Sequence, residues 1–241
     1  MKKYIFDVDG TITPSRKAID ENFLEFFSEF CDNNDVYLVT GSDRDKTIEQ
    51  ITKELYNKCT RVYNCSGSDV YEQDKNVYTS DWKLPEAAAE WLRAECRCSE
   101  FPLRTGLHIE ERPGMINFSV VGRNATIGER KLYVDFDTDN KERIRIAKEF
   151  QKFFPAIQAV VGGETGIDIF PLGKDKSQIL RDFPNDTNLH FYGDRMDPAG
   201  NDYPLMKAII NKNAGEGHSV TDWQDLWHKL IWTQFNRSED R

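Results

Sequence analysis

Apolar residues recur with two periods along this chain. Short unbroken runs that end in Gly, Asp or Thr alternate with longer stretches whose apolar positions repeat every three or four residues. The first kind predicts buried parallel strands, and the second predicts helices with one packed face. Tyr4-Ile5-Phe6 opens the chain as a strand that stops at Gly10. Between Asp20 and Asn34, Phe23, Phe26, Phe27 and Phe30 mark one helical face. Asp35 to Thr40 predicts a second strand, followed by a helix to Tyr56 with Ile48, Ile51 and Leu55 on one side. Arg61 to Cys65 predicts a third strand, and Val70-Tyr71 with Val77-Tyr78 a hairpin. This alternation predicts an α/β fold with a doubly wound, mostly parallel, Rossmann-like core sheet.

The pattern changes from Trp82 to Gly163. A helix is predicted at Pro85–Cys96, then strand-like runs at Leu107–Glu110, Met115–Val121 and Lys131–Phe136. A long helix at Thr138–Phe154 and a strand at Ile157–Val161 complete this part. Strands and helices grouped in this way predict an α+β cap inserted at 82–163 into a core made of 1–81 and 164–241. The first pattern then returns: a strand at Ile167–Phe170, a helix opened by Asp175-Lys176-Ser177 and running through Phe183, and an apolar strand Leu189–Tyr192 ending in Gly193-Asp194. A helix after Asn201-Asp202, another at Thr221–Ile231 and a polar tail from Thr233 to Arg241 close the chain.

Composition narrows the function classes. Of 241 residues, 32 are basic and 41 acidic, a net charge of -9 that argues against a nucleic-acid surface and gives no support to membrane docking. No apolar stretch approaches the roughly 20 residues of a membrane span, and a strand begins too early for a signal peptide. Five cysteines without a repeating frame predict reduced thiols and a cytoplasmic setting. Cys96-Arg97-Cys98 has no second Cys/His pair to complete a zinc site. Asp135-Phe136-Asp137-Thr138-Asp139 imitates a calcium loop, but Asn140 and Ile146 stand where that loop needs Gly and Glu.

Candidate chemistry sits at the strand ends. Asp7 and Asp9, one residue apart after a core strand, repel each other unless a cation or a reaction uses them. Thr40 ends the second strand, Lys176 opens a helix, and Asp194 with Asn201 and Asp202 follows a further strand. The set fits phosphoryl transfer: Asp7 as nucleophile, Asp9 as general acid and base, and Lys176 and Thr40 holding phosphoryl oxygens. Hard oxygens from Asp7, the Asp9 carbonyl and Asp194, supported by Asn201 and Asp202, suit Mg²⁺.

These residues resemble the haloacid dehalogenase superfamily of phosphotransferases. Asp7-Val8-Asp9-Gly10-Thr11 matches its first motif, Thr40 the second, Lys176 the third, and Gly193-Asp194 with Asn201-Asp202 the fourth. The insert narrows the likeness. Arg112-Pro113-Gly114-Met115-Ile116-Asn117-Phe118-Ser119, then Gly122-Arg123 and Glu129-Arg130, is similar to the cap of eukaryotic-type phosphomannomutases. So are Thr13-Pro14-Ser15-Arg16, Asp168-Ile169-Phe170-Pro171 and Gly217-His218-Ser219-Val220-Thr221. The likeness spans Tyr4 to Ile231 and is poor from Trp82 to Thr105.

The resemblance implies an Mg²⁺-dependent mutase that interconverts hexose 6-phosphate and 1-phosphate through an aspartyl phosphate, with a hexose 1,6-bisphosphate as activator. It implies that Arg16, Arg112, Arg123, Arg130 and Asp168 contact the phosphorylated hexose, and that the protein forms a homodimer through the cap. Two positions depart from the pattern: Gly166 stands where the family has Ser, and Met206–Asn211 continues as helix where a second cation loop is expected. A phosphatase of the same superfamily is the alternative. A sugar-phosphate binder without catalysis would have no use for the nucleophile.

Overall fold

The fold is described from a computed structural model over residues 2–239, with side chains to position 233. In chain order the first elements are β1 (Lys3–Phe6), α1 (Glu21–Asp32), β2 (Asp35–Val39), α2 (Arg44–Ile51), α3 (Lys53–Lys58), β3 (Arg61–Asn64), β4 (Asp69–Glu72) and β5 (Lys75–Thr79). Then follow α4 (Glu86–Cys98), β6 (Ile109–Arg112), β7 (Met115–Phe118), α5 (Ile127–Asn140), α6 (Glu142–Phe153), β8 (Ile157–Gly162) and β9 (Gly166–Pro171). The chain closes with β10 (Leu189–Gly193), α7 (Tyr203–Asn211), β11 (Gly215–Ser219) and α8 (Trp223–Glu239). They form two units, one of residues 1–79 with 175–241 and one of Ser80–Lys174.

The first unit holds a seven-stranded sheet in the order β11-β10-β1-β2-β3-β4-β5. Its first five strands run parallel, and β4 and β5 add an antiparallel hairpin at one edge. The mostly parallel sheet predicted from the apolar runs is therefore present. Asp20 starts α1 by accepting hydrogen bonds from the backbone of Asn22 and Phe23, which satisfies two donors that a helix start leaves open. The aromatic face of α1 then packs on the sheet. Phe27 meets Phe6 edge-on at 5.1 Å, and Phe6 stacks on Tyr192 at 5.1 Å. Phe23 lies 5.7 Å from Trp223 and 5.5 Å from Trp227, tying α8 to the same layer.

The second unit has a four-stranded antiparallel sheet, β6-β7-β9-β8. Ile116 and Phe118 of β7 and Ile167 and Ile169 of β9 point into a core shared with Leu92, Tyr133, Ile146 and Phe150 of the helices. Because side chains alternate along a strand, Glu110, Asn117 and Asp168 share the opposite face in register. One face of this sheet is thus apolar and helix-covered, and the other carries a polar row.

Several predicted boundaries shift. Lys131–Phe136 is not a strand but the middle of α5. Thr126 and Glu129 close a reciprocal capping box at that helix's start, a local signal that outweighs the strand-like Leu-Tyr-Val run. The single helix predicted at Thr138–Phe154 is two, α5 and α6, broken where Lys141 takes a left-handed φ of 54°. Tyr133 Oη donating to Glu142 at 3.0 Å and Arg143 Nε to Asp137 at 2.9 Å hold that elbow. The strand at Ile167–Phe170, assigned to the core by the 82–163 division, is β9 and pairs with β7 and β8. The second unit therefore runs from Ser80 to Lys174. The strands expected at Leu107–Glu110 and Met115–Val121 lie at Ile109–Arg112 and Met115–Phe118. The helix expected after Asp175 is a 3-10 helix, Lys176–Asp182. α8 continues to Glu239 through most of the predicted tail, whose last two positions lie outside the described residues. No described helix is long and apolar enough to cross a membrane.

Phe27 has no solvent exposure and touches Phe6, Phe23 and Phe30. Phe27→Ala is expected to destabilise the first unit by about 3–5 kcal/mol, the usual cost of emptying a buried phenylalanine site. Urea unfolding followed by tryptophan fluorescence measures this; a loss below about 1 kcal/mol would mean the layer repacks around the gap.

Candidate active site

The parallel sheet brings the predicted residues to one edge. Asp7 follows β1 directly, its backbone N–H still donating to Tyr192 O at 2.9 Å. Thr40 follows β2, and Asp194 follows β10. Such an edge, at the carboxyl ends of parallel strands, is where open α/β sheets hold ligands. Lys176 reaches it from the start of the 3-10 helix, where Asp175 caps the turn by accepting from Ser177 N.

Lys176 is the centre of the group. Its Nζ donates to Asp7 Oδ1 and, at 2.7 Å, to Asp202 Oδ1, and all three residues are buried. Asp202 also accepts from Arg195 N at 3.0 Å, and Thr11 donates to Asp7 Oδ2 at 3.2 Å. Oxygens of Asp7, Asp194 and Asp202 lie within 4.8 Å of one another. Three carboxylates thus crowd one site, and two of them bond to the Lys176 ammonium. The close approach also explains Gly10: its φ is +83°, and a side chain there would run into the Asp194 carboxylate.

The electrostatics follow from this crowding. Burial pushes the Asp7 carboxyl well above the ordinary range, Lys176 pulls against the shift, and Asp202 and Asp194 add to it. Burial works against the charge on Lys176, but Asp202 and Asp7 outweigh it and raise its pKa. Asp194 is raised to about 6 by burial and then by Asp202. Carboxylates held together at this cost, all with hard oxygen donors, fit an Mg²⁺ ion.

Asp9 is held differently. Its Oδ1 accepts from Arg16 N at 2.7 Å and Gln50 Nε2 at 2.9 Å, and its Oδ2 from Ser42 Oγ at 3.3 Å. Thr40 Oγ1 accepts from Ser42 N at 3.0 Å. Asn201 is exposed, whereas its neighbour Asp202 is fully buried. The sequence pattern gives Asp202 only a supporting place, but the structure puts it directly on Lys176. Gln50 and Ser42, which orient Asp9, carry no sequence signal, since both lie beyond the DxDGT run.

In the second unit, Arg112 donates to Glu110 Oε2 at 2.5 Å, and Arg123 Nε lies 3.0 Å from the same oxygen. Glu110 thereby gathers two of the predicted arginines on the polar face. Arg130 lies in the first turns of α5, with its Nε 3.5 Å from Glu164. Asp168 accepts from Asn117 Nδ2 at 2.6 Å. Asn117 Oδ1, Thr165 Oγ1 and Arg130 Nη2 are buried without a hydrogen-bond partner, polar capacity that a hydroxyl-rich ligand would use.

Residues 23–234 match the family model described as eukaryotic phosphomannomutase. The chain is 31% identical over 230 residues to a phosphomannomutase of Galdieria sulphuraria, covering 92% of this chain and 90% of that protein. It is 30% identical over 243 residues to one of Saccharomyces cerevisiae, covering 96% and 93%. Among solved structures, a haloacid dehalogenase-like hydrolase from Bacteroides thetaiotaomicron is similar in fold, with a TM-score of 0.62, 14% identity and coverage of 96% and 99%.

The raised Asp194 pKa predicts a pH effect in the presence of chelator. Between about pH 4 and about pH 6 the folded chain retains a proton that an unfolded Asp, with a pKa of about 3.9, has released. Stability therefore falls as pH rises through that window. Asp194→Asn removes this contribution and is expected to gain about 1 kcal/mol on the wild type between pH 4 and pH 7, solvent screening included. Urea melts of both proteins at the two pH values test this, and parallel curves would refute it.

Proposed function

The chain belongs to the eukaryotic phosphomannomutase family, and from that premise we propose that it interconverts mannose 6-phosphate and mannose 1-phosphate. The single observation that carries the reading is the Lys176-centred carboxylate cluster at the carboxyl edge of the core sheet. A carboxylate that can bond to phosphorus divides the transfer into two easier steps.

In this reading Asp7 attacks a phosphoryl group of the hexose 1,6-bisphosphate, and the sugar oxygen leaves with a proton from Asp9. The phosphorylated Asp7 then passes its group to a hydroxyl of the hexose monophosphate, while Asp9 takes that hydroxyl's proton. The bisphosphate so formed turns over before its other phosphoryl group returns to Asp7, so either end of the sugar can meet Asp7. Lys176 stays charged and meets the phosphoryl oxygens as charge spreads over them, and Thr40 holds a further phosphoryl oxygen. Asp7, the Asp9 carbonyl and Asp194, supported by Asn201 and Asp202, would hold Mg²⁺, which offsets phosphoryl charge when bound.

The far phosphate needs a separate grip, since the transferring group occupies the carboxylate cluster. Arginines offer paired donors that match phosphate, and Arg112, Arg123 and Arg130 of the second unit fill that role in this reading; Arg16 is a further contact to the phosphorylated hexose. Asp168 takes the sugar hydroxyls. The reading extends to a cytoplasmic protein, which is supported by cysteines of which none forms a disulfide.

Incubation with mannose 1-phosphate, Mg²⁺ and a trace of hexose 1,6-bisphosphate, followed by phosphorus NMR, is expected to yield mannose 6-phosphate. Inorganic phosphate as the sole product would replace the mutase with a phosphatase. Asp7→Asn should lower turnover by about 10⁴-fold or more, as loss of a nucleophile does. Arg130→Ala should slow isomerisation by about 10- to 100-fold, the worth of a charged hydrogen bond, while sparing hydrolysis of a small activated phosphate. Equal losses in both assays would make Arg130 a support of the fold only.

A further inference from the structure

The last two strands of the chain, β10 and β11, carry a second group of ligand-type side chains, none of which belongs to the Lys176 cluster. His190 pairs in register with Glu216, and Tyr192 with His218, so all four side chains lie on one face. His190 Nδ1 and His218 Nε2 are 3.1 Å apart, and His218 Nε2 is 3.7 Å from Glu216 Oε2. The three donor atoms lie within 4.8 Å of one another. His190 Nε2 is 3.0 Å from Asn188 Oδ1, a hydrogen bond when the ring carries its proton on Nε2, and in that tautomer Nδ1 faces His218 as an acceptor. A ring nitrogen bonded outward in this way is the usual support of a metal-binding histidine. Both His190 and Glu216 also line a cavity of about 350 Å³ that gives access from solvent.

We propose that His190, His218 and Glu216 form a binding site for a d-block divalent cation, Zn²⁺ by preference, that clamps β10 to β11. Two imidazoles and a carboxylate are borderline donors that favour Zn²⁺ over Mg²⁺. Two nitrogens on a tetrahedral zinc, each at 2.0–2.1 Å, stand about 3.3 Å apart, close to the separation already present. Binding needs His218 to carry its proton on Nδ1, a tautomer change without change of charge. Burial keeps the His218 pKa below its ordinary value, so the ring is neutral at physiological pH. Glu216 raises it, and the positive charges of Lys2 and Lys229 lower it. Without an ion, the same 3.1 Å approach is a hydrogen bond between the rings, and the Glu216 carboxylate stands 3.7 Å from a neutral His218.

The test uses the full chain in saturating Mg²⁺, so that the Asp7, Asp194 and Asp202 cluster does not compete for the probe. Zn²⁺ is measured by equilibrium dialysis, and Co²⁺ by the visible absorption of a four-coordinate ion. One equivalent is expected, with affinity lowered at least about tenfold in His190→Ala, His218→Ala and Glu216→Ala and unchanged in His108→Ala and His228→Ala. Imidazole ¹⁵N spectra of the unaltered protein guard against misfolded variants: two of its four histidines should shift with one equivalent of Zn²⁺. The proposal falls if no imidazole shifts, or if bound zinc is lost in Asp194→Asn but kept in His190→Ala and His218→Ala.

Discussion

The buried ammonium of Lys176 is the constraint on which the first unit turns. Among the described residues its ion-pair partners are Asp7 and Asp202, and both come from segments that follow strand-end turns. Removing one member of a buried pair commonly costs about 3–5 kcal/mol, because the remaining charge has no water to turn to. The chain must therefore deliver the turn after β1, the 3-10 helix and the start of α7 to one point. The geometry leaves little slack: a side chain at Gly10 would meet Asp194, and one at Gly193 would lie 2.6 Å from Asp202 Oδ2. Stability alone gives no reason to gather three carboxylates around one lysine. A phosphoryl group and a cation do.

Beneath that edge the support is aromatic. Phe6 sits one residue before the nucleophile position, and it is stacked on Tyr192 and gripped by Phe27 and Phe30. Tyr4 continues the row toward His190 at 5.6 Å, and Tyr192 lies 4.5 Å from His218. The same ring layer that fixes Asp7 from below thus also fixes the two histidines on the outer strands. An ion held between β10 and β11 would act on the strand that ends at Asp194, which gives the outer site a physical connection to the inner one.

How much could be read beforehand depended on how local each cause was. Asp7, Thr40, Lys176 and Asp194 were legible because each ends or begins an element that its own neighbours define. The weight of Asp202 was not: as a residue before a helix it resembles a cap, and only the fold brings it to Lys176. Lys131–Phe136 has strand-like residues, but the capping box of Thr126 and Glu129 lies just outside that window. The apolar run of β9 alone does not say which unit it joins, because its antiparallel partner follows from a three-residue loop at 163–165, not from the strand's composition. His190 and His218 stand 28 positions apart and share a site only through strand register, which no motif records.

Gly166 shows how one departure from a family pattern follows from packing. An added Cβ there would lie 2.6 Å from Asn117 Nδ2 and 2.9 Å from its Oδ1, closer than side chains tolerate. A serine at this position and the present place of the Asn117 amide exclude each other. The amide uses that room to donate to Asp168 at 2.6 Å, in the same cross-strand row. Asp168 therefore keeps a fixed orientation through a neighbour's amide, without a hydroxyl two residues away on its own strand. Asn117 Oδ1, on the same amide, is buried without a hydrogen-bond partner among the described residues.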